Sequence, residues 1–197
     1  MQGNYPRLAE FDGVELLDVY RKLTPADINA VIDFWLRNRS LPAGLTLMEL
    51  RRRANEVVVA VLREDAIVAL GSAHVDFAPH DGQQYYFYRD FFGPNGATNS
   101  AADSATDSVR RALLTQSYTI LKAWEPRYLP RKPFGVLVSP QGADVLADSE
   151  LQAGSEIGFF ILGLRPGGAP VVGRKFDESV TEHQISPGTS LPVDSDV

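Results

Sequence analysis

The chain has no cysteine, so disulfides, thiolate metal sites and cysteine nucleophiles are excluded together, and the sequence is compatible with any redox compartment. Long apolar runs are missing as well. None approaches the ~18 residues of a membrane-spanning helix, and Met1 to Glu10 is polar and lacks the apolar centre of a secretory leader. The expectation is a protein of the cytoplasm, or of a particle assembled there, with no membrane partner. Basic charge is in short supply: 19 Lys and Arg stand against 25 Asp and Glu, a formal net charge of -6. Broad capture of nucleic acid needs clustered cations that displace counterions, so no nucleic-acid partner is expected. The serine-hydrolase elbow Gly-x-Ser-x-Gly, the Walker phosphate loop and the dinucleotide glycine fingerprint are likewise absent.

What is present suffices for one globular domain. The 197 residues are 44% apolar and 10% aromatic, enough to bury a core, and no internal repeat suggests a second. Composition divides the chain into a polar lead over 1–13, a packed domain over 14–176 and a polar, proline-bearing tail over 177–197. The tail, poor in apolar residues, predicts a segment ordered by protein partners, as in a multi-subunit assembly.

The stretch Gln83 to Trp124 organises the rest. Its aromatic run Tyr85-Tyr86-Phe87-Tyr88-Arg89-Asp90-Phe91-Phe92 suits a pleated, half-buried strand, which Gly93-Pro94-Asn95-Gly96 ends. Val109, Ala112, Leu113, Gln116, Ile120, Leu121 and Trp124 then recur at helical spacing and predict a helix with one core-facing stripe. Upstream, Val14 to Tyr20 reads as a strand. Thr24-Pro25-Ala26-Asp27 reads as a helix start, with Asp27 at the positive end of the dipole. A second helix spans Thr46 to Ala54, where Arg51-Arg52-Arg53 reads as a solvated face. The β-branched run from Glu56 to Leu62 and the run Ile67 to Phe77 predict an antiparallel pair turned by Glu64-Asp65. Gly71 within the second is a bulge or a point of close approach. Asp81-Gly82 turns the chain into the aromatic strand. Phe134 to Val138 follows a helix, and a strand-helix-strand crossover normally makes a parallel pair. Weak helix over 140–153, a strand Glu156 to Leu164 and a hairpin strand Val171 to Phe176 complete a mixed α/β single domain.

This β-α-α-β-β-β-α-β-β-β order, with its strand-turn-helix unit, resembles the GNAT acyltransferase superfamily over roughly residues 14–176. The family's turn pattern is Arg or Gln, two residues, Gly, one residue, Gly or Ala. The nearest frame here is Gly93-Pro94-Asn95-Gly96-Ala97-Thr98, which keeps the central glycine, and polar residues 97–106 lengthen the turn. The resemblance implies an acyl-coenzyme A-dependent N-acyltransferase whose cofactor, acetyl-CoA or another acyl-CoA, is held by Phe92, Gly93, Asn95, Gly96, Ala97 and Thr98. It also implies Asp90 as the base and Tyr88 as a polar-tipped aromatic beside it, with Tyr85 and Tyr86 near. The family's usual acid, a tyrosine after the Phe134 to Val138 strand, is missing from Ser139 to Asp144. Asp103 and Asp107 read as helix caps, with Ser100, Ser104 and Thr106 as other candidates. The alternative is a catalytically silent GNAT-like subunit of a larger assembly, such as a phage virion protein. No metal is expected: His74, Asp76, His80 and Asp81 read as a solvated hairpin end.

Overall fold

In the computed structural model, which describes residues 1–93, 103–124, 131–138, 157–165, 168 and 170–177, two threonines open the first two helices. Thr24 accepts the Asp27 N–H at the start of α1 (Pro25–Asn38), with Pro25 in the first turn. Thr46 and Glu49 form a reciprocal capping box at the start of α2 (Leu47–Ala54). Asp27 does more than favour the helix dipole. Its carboxylate is buried and accepts from the N–H groups of Gln2 and Gly3 and from the hydroxyls of Tyr5 and Thr24.

Residues 1–13 are therefore tied to the domain, and they contain a strand, β1 (Arg7–Phe11), where a polar lead is expected. The reason lies in Asp12 and Gly13, both at positive φ (50° and 71°), which form a two-residue turn into β2 (Val14–Asp18). Glu64 and Asp65 make the same kind of turn between β3 (Val57–Arg63) and β4 (Ala66–Phe77). After β5 (Gln84–Phe92) comes α3 (Asp103–Ala123), then β6 (Gly135–Val138), β7 (Phe160–Leu164) and β8 (Pro170–Lys175). β7 is shorter than the Glu156 to Leu164 run, since Gly158, at φ 76°, lies in a turn before it.

The strands form one mixed eight-stranded sheet in the order β1-β2-β3-β4-β5-β6-β8-β7. Every pairing is antiparallel except β5 with β6, the crossover joined through α3. Apart from the added β1, this is the expected element order, and β5 is an inner strand. α3 covers one face, against Val58, Val61, Tyr86, Tyr88 and Val136; α1 covers the other, against Leu17, Ala60, Leu70 and Phe91. On α3 the most buried residues are Leu113, Ser117, Tyr118 and Leu121, while Val109, Ile120 and Trp124 are half-buried. The stripe is turned away from Gln116 because Tyr118 fits under the sheet and donates its hydroxyl to the Lys175 carbonyl (2.8 Å). The expected helix over 140–153, the tail beyond Asp177, and Asn95, Gly96, Ala97 and Thr98 lie outside the described residues.

Candidate functional site

β5 and β6 pair in parallel over the described part of β6. Their register is Tyr86 with Val136, Phe87 with Leu137 and Tyr88 with Val138, and there the described part of β6 stops, while β5 continues to Phe92 paired with β4. The direction of the main-chain groups beyond that point follows from strand alternation. The Gln84 carbonyl accepts the Phe134 N–H on the β6 side, and the Gly93 N–H donates to Val68 on the β4 side. Even-numbered residues thus turn their N–H and C=O groups toward β6, so those of Asp90 and Phe92 face the side on which the described part of β6 has ended. Gly93 closes the strand against the last turn of α1: an added Cβ would stand 3.2 Å from the Phe34 ring and 3.5 Å from the Asn38 amide.

Side chains alternate about this point. Tyr88 and Asp90, the two expected catalytic residues, project toward α3. The Asp90 carboxylate accepts from Arg110 Nε (2.9 Å), and Arg110 also lies 3.6 Å from Asp107 and stacks its guanidinium over the Phe92 ring. The ion pair fixes the direction in which the carboxylate points, toward the start of α3. Tyr88 is fully buried, and burial, then the nearby Asp90 charge, pushes its hydroxyl well above the ordinary tyrosine value. That hydroxyl and the Ser117 hydroxyl are both within 3.1 Å of the position a Cβ would occupy on Gly71, so Gly71 is a point of close approach. The structure brings Tyr88, Asp90 and Phe92 together on one face, with Gly93 at the strand end.

The opposite face holds groups that the sequence reading passed over. The β4–β5 register sets Ser72 against Arg89 and His74 against Phe87, and the Glu56 carbonyl accepts the Ala73 N–H (2.8 Å) at the entrance to β3. Arg53 arrives from the end of α2. Glu56 is mostly buried, and burial pushes its carboxyl above the ordinary glutamate value despite the pull of Arg52, Arg53, Arg89 and Arg21. Burial likewise holds the His74 imidazole below its ordinary value, with Arg89 adding to the effect and Asp76 opposing it. A half-buried carboxyl shifted up and an imidazole shifted down are both suited to taking a proton near neutral pH. Of the three consecutive arginines, Arg51 and Arg52 are solvated as expected; Arg53 is not.

The far end of the β4–β5 hairpin also departs from expectation. His80 is largely enclosed, its side chain 9% exposed, packed against Gly163 and Tyr85 and 3.4 Å from the Asp81 carboxylate, which accepts the Tyr85 hydroxyl (2.9 Å). Docking of β7 over the turn encloses it. Among the described residues no three metal-ligating side chains come together.

No protein-family model matches the sequence, and no curated protein matches it. Solved structures do. The ribosomal-protein-S5-alanine acetyltransferase of Vibrio fischeri is 12% identical, over 88% of this chain and 98% of its own, with a TM-score of 0.47. An acetyltransferase of Agrobacterium tumefaciens is 17% identical, over 88% of this chain and 95% of its own, with a TM-score of 0.44. A GNAT-family acetyltransferase of Streptococcus pneumoniae is 12% identical, over 82% of this chain and 98% of its own, with a TM-score of 0.41. At these identities the likeness is one of fold, and in fold the chain resembles the GNAT-family acetyltransferases.

Proposed function

We propose that this protein is an acyl-coenzyme A-dependent N-acyltransferase of the GNAT type. A likeness of fold does not decide function, so the reading rests on the site. The observation that supports it is the direction of the Asp90 and Phe92 main-chain groups, which point to the β6 side of β5 past the last described pair, Tyr88 with Val138. Main-chain groups on that side can take up an amide-bearing chain by hydrogen bonds, and the pantetheine arm of coenzyme A is such a chain. Phe92 and Gly93, continued by Asn95, Gly96, Ala97 and Thr98, are the residues assigned to it. Asp107, whose charge would repel a phosphate near the start of α3, is offset by Arg110 at 3.6 Å.

The bound thioester would supply an activated acyl group. The chain's own part is to receive the acceptor on the α1–α2 face and relieve its amine of a proton. Glu56 is assigned as the base, with His74, kept neutral by burial, on the same face of the sheet. Asp90 holds Arg110 in place, and Tyr88 fills the space under Gly71.

Calorimetric titration of the purified protein with acetyl-CoA tests the reading. Micromolar binding is expected, weakened at least about tenfold by Gly96→Glu, which crowds the strand-to-helix turn. No binding at millimolar ligand overturns it.

A further inference from the structure

Two half-buried arginines stand on the α1–α2 face. Arg53, at the end of α2, and Arg89, on β5 opposite Ser72, each have an Nε atom shut off from solvent and bound to no acceptor among the described residues. Neither makes an ion pair among the described residues. Glu49 feels the Arg53 charge and Glu56 feels both, but among the described residues neither forms an ion pair with them, and Glu56 pairs with a third arginine, Arg52, at 3.8 Å. The two are neighbours: Arg89 is held below its ordinary value by burial first and by the Arg53 charge second.

Such an arrangement is unfavourable by itself. A buried N–H without an acceptor loses its hydration and gains nothing in exchange, and two desolvated cations repel each other. An entering oxyanion offsets both costs, because the guanidinium fork matches the paired oxygens of a carboxylate or phosphate. The solvated arginines next door, Arg51 and Arg52, show that the chain does not bury Arg53 for lack of surface to put it on. His74 and Glu56 share this face, so the anion would lie beside the groups assigned to take the acceptor's proton.

We infer that Arg53 and Arg89 form an oxyanion site for the acceptor, and that the acceptor is an amine carrying a carboxylate or a phosphate a short distance from its nitrogen. This rests on the transferase reading only in calling the ligand an acceptor. The anion grip itself requires no acyl donor, and its test is run without one.

The full chain is titrated calorimetrically, at fixed ionic strength, with O-phosphoethanolamine, with β-alanine and with ethylamine as the uncharged-tail control. One of the first two is expected to bind at least about tenfold tighter than ethylamine, and which of them does so separates a phosphate from a carboxylate. Arg53→Gln and Arg89→Gln should each remove most of that preference, Arg89→Lys should retain part of it, and Arg51→Gln should leave it intact. Thermal melts of each variant confirm folding. Equal binding of all three amines, full binding by Arg89→Gln and Arg53→Gln, or equal loss in Arg51→Gln overturns the site. Acetyl-CoA titration of the same variants locates the anion: if Arg89→Gln weakens the donor as much as the amine, the oxyanion belongs to the donor and the acceptor assignment falls. A wild type that binds O-phosphoethanolamine through Arg89 but ignores acetyl-CoA keeps the anion site and sinks the transferase.

Discussion

Asp27 carries more of the N-terminal structure than any other single side chain. Burial pushes its carboxyl up, but hydrogen bonds from Tyr5, the Gln2 N–H, Thr24 and the Gly3 N–H outweigh that and hold it below its ordinary value of 3.8. Truncating it strands those donors in an apolar setting beside Val31 and Trp35. Asp27→Ala should therefore destabilise the protein by about 2–4 kcal/mol at neutral pH, read from the urea midpoint. The sign of the pH effect follows from the depressed value: the contribution is present above the unfolded pKa and is lost as pH falls through the folded one. The gap between wild type and variant should thus narrow below about pH 4. An unchanged gap at low pH would mean that the loss comes from packing alone. Gly71 is the opposite kind of residue, important for what it lacks. Gly71→Val drives methyl groups into the Tyr88 and Ser117 hydroxyls and should cost about 1–3 kcal/mol. Adding Ser117→Ala should recover part of it, and strict additivity of the two changes would show that they do not share a space.

At the level of elements, the sequence was most legible where local chemistry decides. Thr24, Pro25 and Thr46 announce their helices, and the crossover after the aromatic strand announces the parallel pair. β1 was illegible because Arg7-Leu8-Ala9-Glu10-Phe11 carries little apolar alternation, and only Asp12-Gly13 betrays the turn. The site divides the same way. Asp90 could be singled out by its place at the end of β5, but its partner Arg110 comes from the far side of a turn and a helix start, which no spacing rule connects to it. Glu56, His74 and Arg89 lie far apart in sequence and meet only through the registers of β3, β4 and β5. A signal for two of them did exist. The Asp81-Gly82 turn region pairs Phe77 with Gln84, and counting outward from there sets His74 against Phe87 and Ser72 against Arg89. The burial of Arg53 had no such signal, since three arginines in a row look the same until the helix is laid on its sheet.

Across the whole molecule, contacts divide into two blocks by how far apart in sequence they are made. β1 to β5 are each neighbours of the strand before them and interlock through α1 and α2, so this portion can zip up from nearby segments. β6, β8 and β7 join only after the chain has traversed α3, and the described part of β6 meets β5 over three residue pairs. The C-terminal strands are therefore expected to form a separate cooperative unit that opens before the rest. In native-state hydrogen exchange, the amides of Val136 and Leu137 should open at a lower free energy than those of Val59 to Leu62; equal protection would mean that the sheet unlocks as one. The side of β5 that the proposed donor would occupy thus adjoins the junction at which the C-terminal strands part, so a ligand bridging Asp90 and β6 would act as a rivet and slow unfolding from that side.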